Sequence, residues 1–269
     1  MKLPAPAVEI IKVALRRSHF DKIAYEMSLK IYPYTPTGAR NARQLVRQHR
    51  AFLSQFIRKG DLVFDVGANT GDKARLFLHL GARVVCVEPQ KACIQRLTAR
   101  YKRNSNVTIV PKALGDGATV GEMSICDEAN TISTMSGRWI KDGRFANEYA
   151  WNRKETVPMT TLDALIEEYG IPSYCKIDVE GFEYNVLKGL SRPISMISFE
   201  FTNEFLEDAR KCMVHLASLG KVEFNCTISD STVFHFPNWL TSDSLCSSLS
   251  QIDDKLLWGD IYARFHPIG

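Results

Sequence analysis

Residues 63–72 read VFDVGANTGD and place an acid and two glycines at the end of an apolar run. Glycine lets the backbone turn sharply and approach a ligand without a Cβ in the way. A helix that starts directly after such a turn presents free N–H groups, which attract an anion or a carboxylate. The spacing therefore predicts a ligand-binding turn between a buried strand and a helix.

A second acid, Glu88, ends the next apolar run, seventeen residues after Gly71. A carboxylate at this place in an α/β sheet can accept hydrogen bonds from both hydroxyls of a ribose. NAD(P) and S-adenosylmethionine both fit this layout. The G-x-G-x-x-G pattern of dinucleotide sites is missing, and the charge of Asp65 would repel a pyrophosphate. An acid beside the turn instead favours S-adenosylmethionine, which carries an amine and a sulfonium.

The third segment, residues 176–183, reads KIDVEGFE and joins another apolar run to a helical one. Its acids, Asp178 and Glu180, are expected at the same carboxyl edge of the sheet as Asp65 and Glu88. We predict Asp178 and Glu180 as catalytic residues because a carboxylate there could act as the general base.

Glu200 is a third candidate for the base. A carboxylate with an ordinary pKa is a poor base for an alcohol, so burial or a like-charged neighbour must raise that pKa. The alternative for Glu180 is a cap on the helix that begins near Phe182. Glu183 and Lys188 are expected at the surface.

The elements that must position these acids follow a regular order. From Asp61 onward, short β-branched runs alternate with amphipathic segments, which is typical of a parallel sheet covered on both faces. The sequence predicts a doubly wound α/β domain over residues 59–269, after a helical extension over residues 1–58. Expected strands are 62–66, 83–87, 107–110, 175–179, 194–201, 222–228 and 260–265, and expected helices are 71–80, 91–101, 162–169, 182–190 and 204–219.

Residues 115–160 break the alternation and are predicted to form an insertion that serves as a lid over the substrate. Short extended pieces are expected at 119–125 and 155–159. The alternative is that the aromatic side chains of the insertion pack it onto the body of the domain. Its aromatic residues are Trp139, Phe145, Tyr149 and Trp151, interleaved with the basic residues Arg138, Lys141, Arg144, Arg153 and Lys154.

The composition excludes several classes of protein. With 45% hydrophobic and 24% charged residues, the 269-residue chain is neither disordered, collagen-like nor a disulfide scaffold. It lacks the run of roughly 18 apolar residues that a membrane helix needs. Its seven cysteines form no CxxC pair, and no histidine spacing suggests a metal site. We expect a reduced, cytoplasmic protein without a metal.

Positive charge is concentrated near the N-terminus. Residues 1–60 hold twelve Lys and Arg residues against three acids, a net charge of +9, whereas the rest of the chain carries −5. This basic arm suits peripheral contact with an anionic lipid surface or substrate, and the alternative is a solvated helical face. Residues 32–38 are expected to break its helices because they contain Pro33, Pro36 and Gly38. No motif indicates a nucleic-acid partner.

Taken together, the segments resemble the FkbM family of S-adenosylmethionine-dependent methyltransferases. The resemblance covers about residues 61–201, with a weaker match at 259–262. The matching segments are FDVGANTG (64–71), VEP (87–89), ALGD (113–116), TTLD (160–163), KIDVEGFE (176–183), LKG (187–189) and ISFE (197–200).

This resemblance implies a Rossmann-like class I methyltransferase fold with a mostly parallel seven-stranded sheet. It also implies S-adenosylmethionine as cofactor and O-methylation of a hydroxyl on a sugar or a polyketide-like small molecule. The cofactor residues that it implies are Asp65, Gly67 and Gly71 at the methionine end, Asn69 and Thr70 along the turn, Glu88 at the ribose, Ala113 and Leu114 beside the adenine, and Asp178 near the methyl group.

Two other functions remain open from the residues alone. Tyr184 and Lys188 have the spacing of the catalytic pair of short-chain dehydrogenases, which use NAD(P), and share one helix face. A nucleoside-binding module without catalysis would use the same turn. The acceptor and the oligomeric state cannot be read from the sequence.

Overall fold

The computed structural model describes residues 36–266. It divides the chain into two compact units, Met1–His49 and Arg50–Gly269. Helix α1 (Pro36–Leu53) begins on a proline, whose missing N–H would have no partner in the first turn. The expected break is therefore wrong for residues 36–38, which are helical. Residues 32–35 and the helices expected before them lie outside the described residues.

Within residues 36–266, ten strands form two sheets. Their bounds in chain order are β1 (Leu62–Val66), β2 (Arg83–Val87), β3 (Val107–Val110), β4 (Ala113–Leu114), β5 (Val120–Ile125), β6 (Arg153–Thr160), β7 (Tyr174–Ile177), β8 (Met196–Thr202), β9 (Val222–Ile228) and β10 (Trp258–Phe265).

The larger sheet has the strand order β3-β2-β1-β7-β8-β10-β9. Strand β1 pairs in parallel with β2 and β7, and parallel pairing continues to β3 and β8. Strand β10 runs antiparallel to both of its neighbours. The predicted doubly wound, mostly parallel sheet of seven strands is confirmed. The strand order reverses between β1 and β7, and a ligand cleft is expected at the carboxyl ends of these two strands.

The helices that follow α1 agree with the predicted ones to within about three residues at each end, with two additions. Helix α4 lies in the insertion, and helix α8 was not predicted. Their bounds are α2 (Asp72–His79), α3 (Lys91–Tyr101), α4 (Gly137–Asp142), α5 (Leu162–Tyr169), α6 (Glu183–Lys188), α7 (Leu206–Leu219) and α8 (Ser242–Ser250).

The smaller sheet joins two strands of the insertion, β5 and β6, to β4, which directly precedes the insertion. Its central strand is β6, which pairs in parallel with β4 and antiparallel with β5. The expected extended pieces at 119–125 and 155–159 are therefore confirmed as β5 and β6. Because Ile125 pairs with Arg153, residues 126–152 leave and re-enter this sheet at one point.

The register of the large sheet brings charged residues onto one face. Residues paired across neighbouring strands point to the same side, and so do residues two apart along a strand. Asp65 pairs with Lys176, and Glu200 pairs with Asp260. These four residues share one face, near the edge of the sheet that the carboxyl ends of the parallel strands form. The opposite face is apolar and carries Phe64, Ile177, Phe199 and Ile261.

Candidate active site

The turn after β1 requires glycine at its first bend. Gly67 has φ +78°, and a Cβ at this position would overlap with the backbone oxygen of Asp178. The Gly67 N–H donates to Val87 O at 2.9 Å, which ties the turn to the end of β2. Asn69 also has a positive φ, +48°. The turn thus brings the ends of β1, β2 and β7 into contact through backbone atoms.

Glu88 holds this turn from the side. Its carboxylate is buried and accepts the N–H of Asn69 and the N–H of Gln90, each at 2.8 Å. Burial raises the pKa of Glu88 to about 7, although the two N–H donors act in the opposite direction. A carboxylate has about four acceptor positions, so Glu88 can still accept hydrogen bonds from a ligand.

Asp65 lies behind the turn, 2% exposed. Burial raises the pKa of its carboxyl to about 7, against the lowering effect of Lys176 and of the Ala74 N–H at the start of α2. Within residues 36–266, its Oδ2 atom has no hydrogen-bond partner.

A narrow cleft, which we call the turn cavity, opens beside these residues. Several of the predicted cofactor residues line it, together with the predicted catalytic residue Glu180. They are Gly67, Asn69, Glu88, Ala113, Leu114 and Asp178.

The other three predicted cofactor residues do not line the turn cavity. Asp65 is behind it. Thr70 accepts a hydrogen bond from Arg100 through its backbone oxygen. Gly71 packs against the side chains of Leu97 and Tyr101, so its missing Cβ serves helix packing.

Three carboxylates meet at the edge of the turn cavity. One oxygen from each of Asp178, Glu180 and Glu200 lies within 4.8 Å of the others. Burial raises the pKa of both Glu180 and Glu200 well above the ordinary value, and the charge of Asp178 raises each further. These are the conditions under which a carboxylate becomes an effective base near neutral pH. The same oxygens are close enough to share a metal ion, so the expectation of no metal stays a prediction.

Lys176 neutralises part of this negative charge. Its Nζ lies 3.1 Å from Asp178 Oδ2 and 2.9 Å from Asp260 Oδ1. Burial alone would lower the pKa of Lys176, but Asp178, Asp260 and Glu200 raise it well above the ordinary value. The lysine therefore stays charged inside the protein. A lysine within a buried strand was the one sign of this arrangement in the sequence.

Glu180 is held in an unusual backbone conformation. Its φ of +54° is left-handed, which costs on the order of 1–3 kcal/mol for a residue other than glycine. Thr134 Oγ1 donates to the Glu180 carbonyl oxygen at 2.7 Å and so connects the insertion to this turn.

Glu183 caps the same turn. Its Oε1 accepts the N–H of Val179 at 3.1 Å and that of Gly181 at 3.3 Å, and its side chain is buried. The expectation of a surface position is wrong for Glu183, because its side chain folds back onto these N–H groups at the start of α6. It is confirmed for Lys188, which is exposed and pairs with Asp116. The alternative of Glu180 as a helix cap is wrong, because the N-cap position of α6 is Phe182 and no side chain there forms a capping hydrogen bond.

A second cavity, which we call the outer cavity, has a volume of about 390 Å³ and lies on the other side of the carboxylates. Glu200 lines it, and it shares Met135 and Phe182 with the turn cavity. Two buried polar atoms of its lining residues, Trp139 Nε1 and Thr202 Oγ1, have no hydrogen-bond partner within residues 36–266.

The insertion supplies one wall of the outer cavity and is tied to the body of the domain. The Trp139 ring lies 5.7 Å from that of Phe205. The Arg144 guanidinium donates two hydrogen bonds to Glu204, at 2.8 and 2.7 Å. Of the aromatic residues of the insertion, Trp139 therefore packs against the body of the domain, which agrees with the alternative. Motion as a lid stays a prediction.

Comparison with known proteins places this geometry among methyltransferases. A model of the methyltransferase FkbM domain matches residues 65–222, more than half of the chain. Hexuronic acid methyltransferase AglP of Haloferax volcanii is 28% identical over 149 residues, which cover 55% of this chain and 57% of that protein. The 2-O-methyltransferase NoeI of Sinorhizobium fredii is 26% identical over 185 residues, which cover 61% of this chain and 72% of that protein.

Solved structures resemble the chain more distantly. A precorrin-6y C5,15-methyltransferase from Geobacter metallireducens has a TM-score of 0.43 at 12% identity, over 81% of this chain and 87% of its own. Fibrillarin of Aeropyrum pernix with natively bound S-adenosylmethionine has a TM-score of 0.39 at 10% identity, over 81% of this chain and 76% of its own. The fold assignment therefore depends on the strand order and register described above.

Proposed function

The chain belongs to the FkbM methyltransferase family, and on that premise we propose that it transfers a methyl group from S-adenosylmethionine to a hydroxyl oxygen of a sugar. The resemblance read from the sequence is confirmed. The match favours a methyltransferase over the dehydrogenase and the nucleoside-binding module. A relative named for hexuronic acid and another named for 2-O-methylation support a sugar hydroxyl as acceptor. The chain spans 57% of the first and 72% of the second.

One observation carries this proposal. The carboxylates of Asp178, Glu180 and Glu200 lie where two cavities meet, the turn cavity on one side and the outer cavity on the other. A cofactor in the first and an acceptor in the second would approach each other at these acids.

The residues that line the turn cavity offer groups that suit S-adenosylmethionine. Glu88 has acceptor positions left for the ribose hydroxyls, and apolar Leu114 and Val87 offer a surface for the adenine ring. When bound, the cofactor supplies a methyl group that its sulfonium has already activated. The protein is left with alignment, which can contribute on the order of 7–11 kcal/mol, and with removal of the hydroxyl proton.

We assign proton removal to the carboxylate cluster. Asp178 and Glu180 line the turn cavity, and Glu200 lines the outer cavity where the acceptor hydroxyl would enter. Like charges held close together favour retention of a proton, which raises basicity. A base of this kind contributes about 10²–10⁴-fold to the rate. Lys176 fixes Asp178 through their ion pair and so acts as a positioning residue.

The first test is a calorimetric titration with S-adenosylhomocysteine beside NADH and NADPH. We expect micromolar binding of the first ligand alone. Glu88→Ala should weaken that binding about 10- to 100-fold because a charged acceptor is lost. A nicotinamide nucleotide that binds in place of S-adenosylhomocysteine would overturn the assignment.

Turnover is then measured with labelled S-adenosylmethionine and a set of hexosides. Label in the sugar, absent without protein, would support the proposal. Binding of S-adenosylhomocysteine without transfer to any sugar would reject the sugar acceptor and retain the cofactor.

Three further expectations concern the surroundings of the enzyme. Within the described part of the chain, no helix is both long enough and apolar enough to cross a bilayer. A cytoplasmic location, peripheral contact by the basic arm and the absence of a nucleic-acid partner stay predictions.

A further inference from the structure

We propose that the outer cavity accepts a sugar with a negatively charged substituent, and that Lys211 selects this charge with the help of Arg138. The inference rests on the proposed function, since it specifies the acceptor of that site.

Two cations at the rim share a single carboxylate. Asp208 binds Arg138 through Oδ2 at 2.6 Å and Lys211 through Oδ1 at 2.8 Å. These three residues line the outer cavity and together carry one net positive charge. Arg138 and Lys211 are about half exposed, at 58% and 40%, so a ligand can reach both.

The other two charged residues that line the outer cavity are acids at its inner end. Glu200 lies on β8, and Glu183 is the first residue of α6. The cavity is thus polarised, with carboxylates next to the methyl donor and cations at the entrance. An acceptor with a hydroxyl at one end and an anion at the other matches this arrangement, because its anion would meet the excess positive charge of the rim.

The rest of the lining suits a sugar ring. Aromatic rings of Trp139, Phe205 and Tyr184 provide flat apolar surface. The buried hydrogen-bonding atoms Trp139 Nε1 and Thr202 Oγ1 are unpartnered among the described residues. Lys211 lies over the Tyr184 ring, with Nζ 6.0 Å from the ring centre, which holds its side chain beside the cavity.

The ion pair between Arg138 and Asp208 also ties α4 to α7, so this pair has a structural role as well. Lys211 and Asp208 lie on the same helix, α7. Lys211→Met therefore removes the excess charge of the rim and leaves the tie in place. Arg210→Met is the matched control, since Arg210 is the next residue on α7, pairs with Glu207 and does not line the outer cavity.

The experiment compares matched acceptors that differ only at the C6 position. Methyl transfer is measured to 4-nitrophenyl β-D-glucuronide and galacturonide, and to the corresponding glucoside and galactoside. We expect kcat/KM to be higher for at least one uronide than for its hexoside. Lys211→Met should reduce this preference about tenfold, as expected for loss of one charged hydrogen bond. Arg210→Met should not change it, and Lys211→Arg should preserve it.

Salt provides a second readout. The preference for the uronide should shrink between 50 and 300 mM salt, because exposed charges are screened, while kcat/KM for the hexoside stays constant.

The outcomes separate this inference from the proposed function. Equal or better transfer to hexosides, or an equal loss on both acceptors in Lys211→Met, would overturn the charged acceptor and leave sugar methylation standing. Binding of S-adenosylhomocysteine without transfer to any of the four glycosides would overturn both. Failure to bind S-adenosylhomocysteine would overturn the proposed methyl transfer from S-adenosylmethionine, and the charged acceptor with it.

Discussion

The two cavities of this protein are built in different ways. The turn cavity is shaped largely by backbone atoms at the ends of three neighbouring strands, and its key residues lie in short motifs. The outer cavity is formed by side chains from α4, β8 and α7, which are far apart in the sequence. The first depends on a register that the whole sheet enforces, and the second depends on individual contacts. We therefore expect changes in the turn cavity to be severe and changes in the outer cavity to be graded.

The largest effect is expected from Gly67→Ala. The added Cβ would overlap with Asp178 O, and φ +78° disfavours any residue other than glycine. Binding of S-adenosylhomocysteine should fall at least about 100-fold, since displacement of Asp178 opens the contact between β1 and β7. Gly117→Ala is the control, because a Cβ there has no neighbour within 4 Å. Wild-type affinity in Gly67→Ala would show that the turn is less constrained than its geometry indicates.

Asp178→Asn tests the junction between the two cavities. It removes a charge from the carboxylate cluster and weakens the ion pair with Lys176, which keeps Asp260 as a partner. We expect kcat to fall about 10²–10⁴-fold while affinity for S-adenosylhomocysteine changes less than about threefold. Full activity would exclude Asp178 as part of the base. An equal loss of cofactor affinity would place its role in binding.

Asp65→Asn tests how much the buried carboxyl of Asp65 lowers the free energy of unfolding when it ionises. Its pKa is 3.8 in the unfolded chain and about 7 in the folded protein, so the folded state binds more protons between these pH values. The unfolding free energy therefore falls as pH rises from about 4 to about 7. Because the asparagine does not ionise, Asp65→Asn should be more stable than wild type at pH 8, by up to about 2–4 kcal/mol. Chemical denaturation of the ligand-free protein at pH 5 and pH 8 measures the difference.

The control is the same comparison at pH 4, where wild type and Asp65→Asn should unfold at closely similar denaturant concentrations. A variant that is less stable than wild type at pH 8 would show that Asp65 is stabilised as an anion.

The smallest effect is expected in the outer cavity, from Thr202→Val. The Thr202 hydroxyl is buried and has no partner within residues 36–266, so its loss should leave stability unchanged or slightly improved. If an acceptor uses this hydroxyl, KM for the sugar should rise about three- to tenfold with kcat and cofactor affinity retained. An unchanged KM would remove Thr202 from the acceptor site.

The fold was largely predictable because its signals are local. Strands β1, β2 and β3 and helices α3 and α5 begin and end where the apolar runs and turn residues predict. Helix α8 was missed because it is rich in serine and buries only Leu245 and Leu249.

The site was predictable only where its parts lie in motifs. Gly67, Glu88 and Asp178 follow directly from strand ends. Lys176 pairs with nearby Asp178 and also with Asp260, which is 84 residues away, and no spacing rule connects Lys176 to Asp260. Burial of Glu183 was missed for a different reason, since capping of the turn depends on a backbone shape that the sequence does not display.

The pairing of Ile125 with Arg153 has a consequence for how such enzymes diversify. Residues 126–152 are bounded by adjacent positions of one hairpin, so natural selection or an engineer can exchange them as a cassette without disturbing the large sheet. The exchanged segment must still provide the contacts with the body of the domain, such as those of Thr134 with Glu180 and of Arg144 with Glu204. Asn130 Nδ2 donates to Asn69 Oδ1 at 3.0 Å, so a transplanted segment also needs an asparagine there to fit the recipient's turn.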